Sequence, residues 1–291
     1  MNGVLFINKE KGYTSRDVVN IISKHLKVKK VGHTGTLDPM ATGVLIVCVG
    51  SATKLVDIIT NEDKEYIAEI TLGIETDTLD ITGNIIKEEK VKIPKEKIIE
   101  VINSMKGSYN QEVPMYSAIK IDGKRLYEYA RNKEKIDLPK RLVNIKEINL
   151  IDDIKYINDK TIFKIKCLVS KGTYIRSLVR DIASKLNTIG VMSELIRTKQ
   201  GHVKVEDCYN LDDIINNRYQ LTNIKDILPH IKQVIIDEKL EKDILNGKII
   251  DNIYDTEKIL FLDKNNNALA LYQSYEKRKN MLKPWKMFKV K

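Results

Sequence analysis

Between Gly32 and Val44 the chain reads Gly-His-Thr-Gly-Thr-Leu-Asp-Pro-Met-Ala-Thr-Gly-Val, and it then continues as an uncharged apolar run to Val49. No other stretch limits the possible folds as strongly. Six apolar residues bounded by glycine-rich sequence predict a buried strand over 44–49. Gly32, Gly35 and Gly43 permit backbone angles closed to other residues and let another molecule come close. Pro39 biases Asp38 toward an extended conformation and away from a helix. The pattern therefore predicts a single carboxylate, Asp38, presented by a loop at the end of a buried strand. Asp-Pro among Gly and Thr also forms ordinary turns, so this loop in isolation does not establish chemistry.

The rest of the composition sets broad limits. A chain of 291 residues, 42% of them apolar, suffices for one large domain or for a large and a small one. Fifty basic against 40 acidic side chains give a formal charge of +10, which suits a polyanionic partner without singling one out. The start, Met1-Asn2-Gly3, enters a strand-like run over 4–7 with no basic leader or cleavage pattern, so no secretory signal is expected. No apolar stretch approaches the roughly 20 residues that span a bilayer. Cys48, Cys167 and Cys208 lie far apart in sequence, and the first two fall in strand-like segments, where they read as buried thiols. No Cys-x-x-Cys pair, His-Glu-x-x-His spacing or Gly-x-x-x-x-Gly-Lys-Ser/Thr loop is present. No metal or cofactor is therefore expected, and a cytoplasmic setting is.

Periodicity supplies the first elements. Thr14 to Asp17 has capping-box character, followed by Val18, Val19, Ile22 and Leu26 at helical spacing. Tyr66, Ala68, Ile70 and Leu72 alternate with Ile67, Glu69 and Thr71, which predicts a strand with the Tyr66 ring inward. Residues 161–169 read as another strand. Thr173 then looks like an N-cap for a helix whose stripe is Ile175, Leu178, Val179, Ile182 and Leu186. Arg176 falls off that stripe in the first turn, where a cation gains nothing from the helix dipole and an anionic partner would explain it.

Residues 114–146 interleave Tyr116, Tyr127 and Tyr129 with Lys120, Lys124, Arg125, Arg131, Lys133, Lys135, Lys140 and Arg141. Stacking faces beside cations suit RNA loops, although a solvated amphipathic helix has the same composition. From about Gln233 a short terminal unit follows: a strand over 234–236, a helix ending at Gly247 and a hairpin around Asn265-Asn266-Asn267. Its tail after Glu276 carries Lys277, Arg278, Lys279, Lys283, Lys286, Lys289 and Lys291, no acid, and Trp285. This reads either as a frayed solvated end or as a basic edge facing RNA.

The stretch Gly32–Gly43 resembles the catalytic motif of the TruB family of tRNA pseudouridine synthases. Further blocks match in order: Lys64-Glu65-Tyr66 leading to Leu72-Gly73, then 76–80 with Gly83, 115–120 followed by 123–131, 170–178, and Leu195-Ile196-Arg197-Thr198. The similarity runs from Gly3 to about Pro229, with Glu10 standing where the family has proline after Lys9. The resemblance implies an α+β fold with a large mixed, mostly antiparallel sheet over residues 1–232, an RNA-gripping insertion at 114–146, and a small PUA-like β domain over 233–291. It also implies conversion of uridine to pseudouridine at position 55 of the tRNA T-loop, by base flipping, with no cofactor and no metal. Asp38 corresponds to the nucleophile, Arg176 to the arginine that keeps it charged, and Tyr66 to the ring that stacks on the base and takes the C5 proton. His33 corresponds to the residue filling the vacated space and Leu195 to an apolar pocket residue. Tyr174, Lys64, Lys120, Arg125 and Arg131 complete the expected substrate contacts. The implied partner is the tRNA T-arm, met by a monomer with no membrane attachment. A tRNA-folding chaperone and a guide-RNA-dependent relative are the competing readings.

Overall fold

The computed structural model describes residues 1–289; Lys291, part of the basic tail above, lies outside the described residues. Contact density divides the chain into two compact units. Met1–Asp38, Leu45–Thr60 and Glu206–Lys291 form the first, and Pro39–Val44 with Asn61–Val205 the second.

In the first unit β1 (Gly3–Lys9) leads through α1 (Ser15–Leu26) and β2 (Val31–His33) to β3 (Thr42–Val49). The α1 capping box is formed: Asp17 N donates to Thr14 Oγ1 at 3.1 Å, and Thr14 N donates to Asp17 Oδ2 at 2.9 Å. Val18, Val19 and Ile22 are its buried face. β3 is buried at every position from Gly43 to Val49, which accounts for its unbroken apolar run. β1 lies beside it, and β2 pairs with it antiparallel, His33 opposite Val47.

Residues 233–291 belong to this unit. The strands Lys232–Ile235, Lys258–Leu262, Ala268–Ser274, Met281–Met287 and Ile250–Asp251 form a separate sheet in that spatial order. Ile244, Phe261, Tyr272 and Leu282 fill its core. The helix Glu238–Leu245 gives way to Gly247 at φ 69°, a left-handed position suited to glycine. Asp263 Oδ1 accepts from the backbone N of Asn265 and Asn267 at 2.9 and 2.8 Å, closing the expected hairpin. The tail is mostly strand: Lys54 donates to the Met287 carbonyl and Lys286 pairs with Asp57 at 2.7 Å.

The second unit is built on β4 (Lys64–Leu72), β5 (Gly107–Glu112), β6 (Lys140–Leu150), β7 (Lys160–Val169), α2 (Ile175–Lys185) and β8 (Gly190–Gln200). The spatial order is β8-β4-β7-β6-β5, antiparallel at each step, and the first residues of β3 add a parallel neighbour to β8. This is the large mixed, mostly antiparallel sheet of an α+β fold. Its two faces differ. Even-numbered residues of β4 are buried, whereas Glu65 and Glu69 on the other face pair with Lys166 and Lys164 at 3.2 and 3.6 Å. α2 packs on the buried face: a Cβ at Gly190 would come within 2.8 Å of Leu72 Cδ2 and 3.0 Å of Ala183 Cβ. One expectation is corrected here. The N-cap of α2 is Tyr174, not Thr173, because the Thr173 hydroxyl donates to Ser170 O at 2.9 Å and closes the preceding turn.

Gly43 is the tightest point of this sheet. Its φ is 99°, and a Cβ built on it would lie 2.2 Å from the Arg197 carbonyl oxygen, so the β3–β8 pairing requires glycine. Gly43→Ala is expected to cost about 2–4 kcal/mol from backbone strain plus overpacking. Urea unfolding of variant and wild type side by side checks this; equal midpoints would show that the two strands can separate without loss.

Candidate active site

The Asp38 loop is anchored in the first unit through its neighbours. Leu37 N donates to Ser15 Oγ at 2.8 Å, and Ser15 Oγ returns to Leu37 O at 3.3 Å, so the residue before Asp38 is tied to the first turn of α1. Thr34 N donates to Ile46 O at 3.0 Å, fixing the start of the loop against β3. Half-buried His33 accepts at Nδ1 from Gly35 N at 3.4 Å. Asp38 is itself half-buried and lies in no helix. Lys9, fully buried, donates from Nζ to Glu10 O at 2.9 Å and Tyr13 O at 2.7 Å, and so shapes the turn where proline was expected.

In the second unit the strand register assembles one face. β8 sets Leu195 opposite Ala68 and Arg197 opposite Tyr66, and directly opposed residues share a face. Tyr66 points inward as its strand phase predicts, and Leu195 and Arg197 flank it, with exposures of 7%, 7% and 1%. Lys64, two residues before Tyr66, lies on the same face at 6% exposure and donates from Nζ to Glu62 O at 2.5 Å. Arg197 Nε donates to Val44 O at 2.6 Å, tying this face to the strand that follows the Asp38 loop.

Arg176 stands in the first turn of α2, buried. Its guanidinium donates to Thr78 O at 3.0 Å and Tyr116 O at 2.9 Å, and lies 3.7 Å from Asp80 Oδ2. Asp80 is the hub of that loop, accepting at Oδ1 from Thr78 Oγ1, Thr82 N and Thr82 Oγ1 at 3.0, 3.0 and 2.6 Å. The loop is held in turn by β8, because Met192 N donates to Leu79 O at 3.2 Å with Leu79 in the left-handed region at φ 63°. Tyr174, half-buried, exchanges two hydrogen bonds with the buried Gln111 side chain: Tyr174 N to Oε1 at 2.8 Å, and Nε2 to Tyr174 O at 3.1 Å. Gln111 Nε2 also donates to Tyr109 Oη at 2.8 Å, and Tyr109 donates to Asp181 at 3.0 Å. These bonds fix the start of α2 and with it the direction of Arg176.

The insertion presents its cations around aromatic rings. Asp122 and Gly123, at φ 50° and 82°, turn the hairpin Lys120–Ile121 to Lys124–Arg125. The Tyr127 ring lies between the guanidiniums of Arg125 and Arg131 at 5.8 and 5.4 Å, and Lys124 covers Tyr129 at 4.5 Å. Lys120, Arg125 and Lys133 are exposed, and Arg131 is too. In the first unit Lys258 and Lys286 lie over the Trp285 ring at 5.1 and 5.7 Å. Among the described residues no cluster of His, Cys, Asp and Glu is placed to hold a metal ion, and no helix is long and apolar enough to cross a membrane. Burial pushes the Cys48 and Cys167 thiols up to about 12, which makes them poor nucleophiles.

Asp80, Gln111 and Lys9 were not singled out as site residues from the sequence. Arg197 carried a usable signal, since two residues on a strand, Leu195 and Arg197, must share a face.

A family model described as the TruB family pseudouridylate synthase N-terminal domain matches residues 23–175. The tRNA pseudouridine synthase B of Bacillus cytotoxicus is 39% identical over 99% of this chain and 97% of its own. That of Bacillus subtilis is 39% identical over 100% of this chain and 99% of its own. Among solved structures, a Cbf5-Nop10-Gar1 complex superposes with a TM-score of 0.72 at 24% identity, over 99% of this chain and 85% of that one. An H/ACA RNP bound to a substrate RNA containing 2′-deoxyuridine gives 0.71 at 23%, with the same coverage. These neighbours share the fold. The class is that of the pseudouridylate synthases, which are isomerases. Within it, the chain belongs to the TruB family.

Asp80→Ala removes the carboxylate beside Arg176 and the acceptor for Thr78 and Thr82 together. Breaking a buried charge pair in this way typically costs about 3–5 kcal/mol. Thermal unfolding should register a loss near that size, and an unchanged Tm would mean that the loop holds its shape without Asp80.

Proposed function

We propose that the chain converts uridine to pseudouridine at position 55 in the T-loop of tRNA, acting as a cytoplasmic monomer. The single observation that carries the reading is the register that sets Leu195 opposite Ala68, diagonal to Tyr66, on the face covered by α2, where Arg176 stands. A flat base needs an apolar wall and a ring to stack on, and this pairing supplies both. Asp38, in the loop that leads into β3, is the nucleophile, and Arg176 holds it ionised, since a nearby cation lowers a carboxyl pKa. Asp38 bonds to the nucleoside and the N1–C1′ bond breaks; the base turns, C5 bonds to C1′, and the bond to Asp38 is released. The C5 proton leaves toward Tyr66 and N1 gains a proton, so nothing is consumed and no cofactor enters. His33 occupies the gap left by the flipped nucleotide, whose extraction costs a few kcal/mol. Lys120, Arg125 and Arg131 grip the RNA, and the arginine-flanked Tyr127 offers a stacking face.

Incubation with unmodified tRNA, followed by mapping of pseudouridine, tests the reading. Product at position 55 with no other RNA or protein present is the expected result. Product that requires a guide RNA would assign the chain to the guided mode, and tRNA refolding without any product would make it a chaperone. Asp38→Asn should abolish turnover while tRNA affinity stays within about threefold, because phosphate contacts supply most of it. Multiple turnover by this variant would remove Asp38 from its role. Tyr66→Phe keeps the ring and loses the hydroxyl, so tritium release from C5-labelled tRNA should slow by about a hundredfold or more. Release at the wild-type rate would leave Tyr66 as a stacking surface only.

A further inference from the structure

We propose that Lys64 is a positioning residue for the isomerisation: with Arg197 it supplies a fixed positive field, from within the sheet, that favours negative charge on the reacting uracil. The inference rests on the reading given under Proposed function.

Strand geometry places the charge. Lys64 and Tyr66 are two residues apart on β4, Arg197 is opposite Tyr66 on β8, and all three project onto the buried face. The phenol expected to stack on the base thus has a lysine on one side along its own strand and an arginine on the other across the ladder. Both cations are nearly sealed from solvent. Arg197 is locked in place by its bond to Val44 O and by the close approach of Gly43, five residues past Asp38 in sequence. Lys64 is locked by its bond to Glu62 O.

Burying two like charges near each other is costly for stability, several kcal/mol per ion before compensation. Burial is the main reason that Lys64 falls to about 8; the Arg197 charge lowers it further, Glu62 and Asp63 oppose, and Lys171 adds a smaller push down. Arg197 comes from β8, Glu62 and Asp63 from the turn before β4, and Lys171 from the loop after β7. Two of them have partners of their own, Asp63 with Lys146 at 2.5 Å and Lys171 with Asn61 at 2.8 Å.

The chemistry gives this charge a task. When the N1–C1′ bond breaks toward the base, the electron pair is left on the uracil ring. When a nucleophile adds at C6 instead, the pair moves toward O4. On either route negative charge grows on the stacked base. A preorganised cation pair in a water-poor setting stabilises that charge with no reorganisation at the moment of reaction. The effect appears in the rate of the chemical step rather than in binding.

Single-turnover rates with enzyme in excess over unmodified tRNA, from pH 6.5 to 9.5, test this together with filter-binding affinities. Wild type should lose rate as pH rises through about 8, where Lys64 gives up its proton. Lys64→Arg, which keeps its charge across this range, should abolish that decline. Lys64→Met should be slower at pH 7 by about ten- to a hundredfold, show no decline near 8, and bind tRNA within about twofold of wild type. A Lys64→Arg profile that still falls near pH 8 would overturn the proposal, as would a Lys64→Met rate equal to wild type. Where Lys64→Met does not fold, the arginine profile decides. A wild type that forms no pseudouridine would bring down the reading of function and this inference together, whereas an active wild type with an unchanged variant profile sinks only the role of Lys64.

Discussion

The register between β4 and β8 is the constraint on which the rest of this protein depends. A shift of β8 by one residue would turn Leu195 and Arg197 away from Tyr66 and Lys64 to the wet face, where Glu65 and Glu69 now meet Lys166 and Lys164. Side chains of the wet face hold the register. Ser193 Oγ of β8 donates to Glu69 Oε1 of β4 at 2.9 Å, and Thr198 Oγ1 donates to Glu65 Oε1 at 2.8 Å, while Gly43 admits the Arg197 backbone and fixes β8 against β3. The apolar and polar faces therefore specify the same pairing, the kind of agreement between levels that makes a sequence encode one structure.

A second theme is how the site manages charge. Arg176 is oriented by two backbone carbonyls, of Thr78 and Tyr116, and by the Asp80 carboxylate at 3.7 Å. Asp80 spends its own charge on the two threonines of its loop more than on the arginine. Arg180, one helical turn further on, is the opposite case: Glu112 and Asp181 both bind it at 2.9 Å, and it serves the fold.

Local pattern revealed the pieces better than their arrangement. Thr14 and Asp17 mark the start of α1 because a capping box is a contact within four residues. The alternation of β4 fixed the direction of Tyr66 because strand phase is local. Thr173 misled because a hydroxyl before a helix can cap it or close the preceding turn, and only the position of Ser170 decides. The resemblance places Lys64 among the substrate contacts, and its spacing from Tyr66 puts it on the inward face. Gln111 gave no sign at all, since its partner Tyr174 is 63 residues away. Asp80 was legible as part of a motif but not as the hub it is. The family resemblance carried the assignment of roles, and the ladder pairings added what joins those roles together.

The bond between Gln111 and Tyr174 has a consequence for how the site comes into being. α2 has no side-chain cap of its own, and its first turn is stabilised by an amide on the outermost strand of the sheet. Asp38 lies early in the chain, and α1 and β3, which hold its loop, are close in sequence; Tyr66 is held by β7 and β8, far downstream. Arg176 takes its direction only after β5 has paired with β6 and presented Gln111 to the helix, a contact that closes a loop of more than sixty residues. Contacts of that span form late, because their closure entropy must be met first. A chain still leaving the ribosome would thus form the Asp38 loop before it could flank Tyr66 with β8 or orient Arg176. The face around Tyr66 is complete only when the last strand of the sheet has paired, and it does not build up gradually as the chain grows.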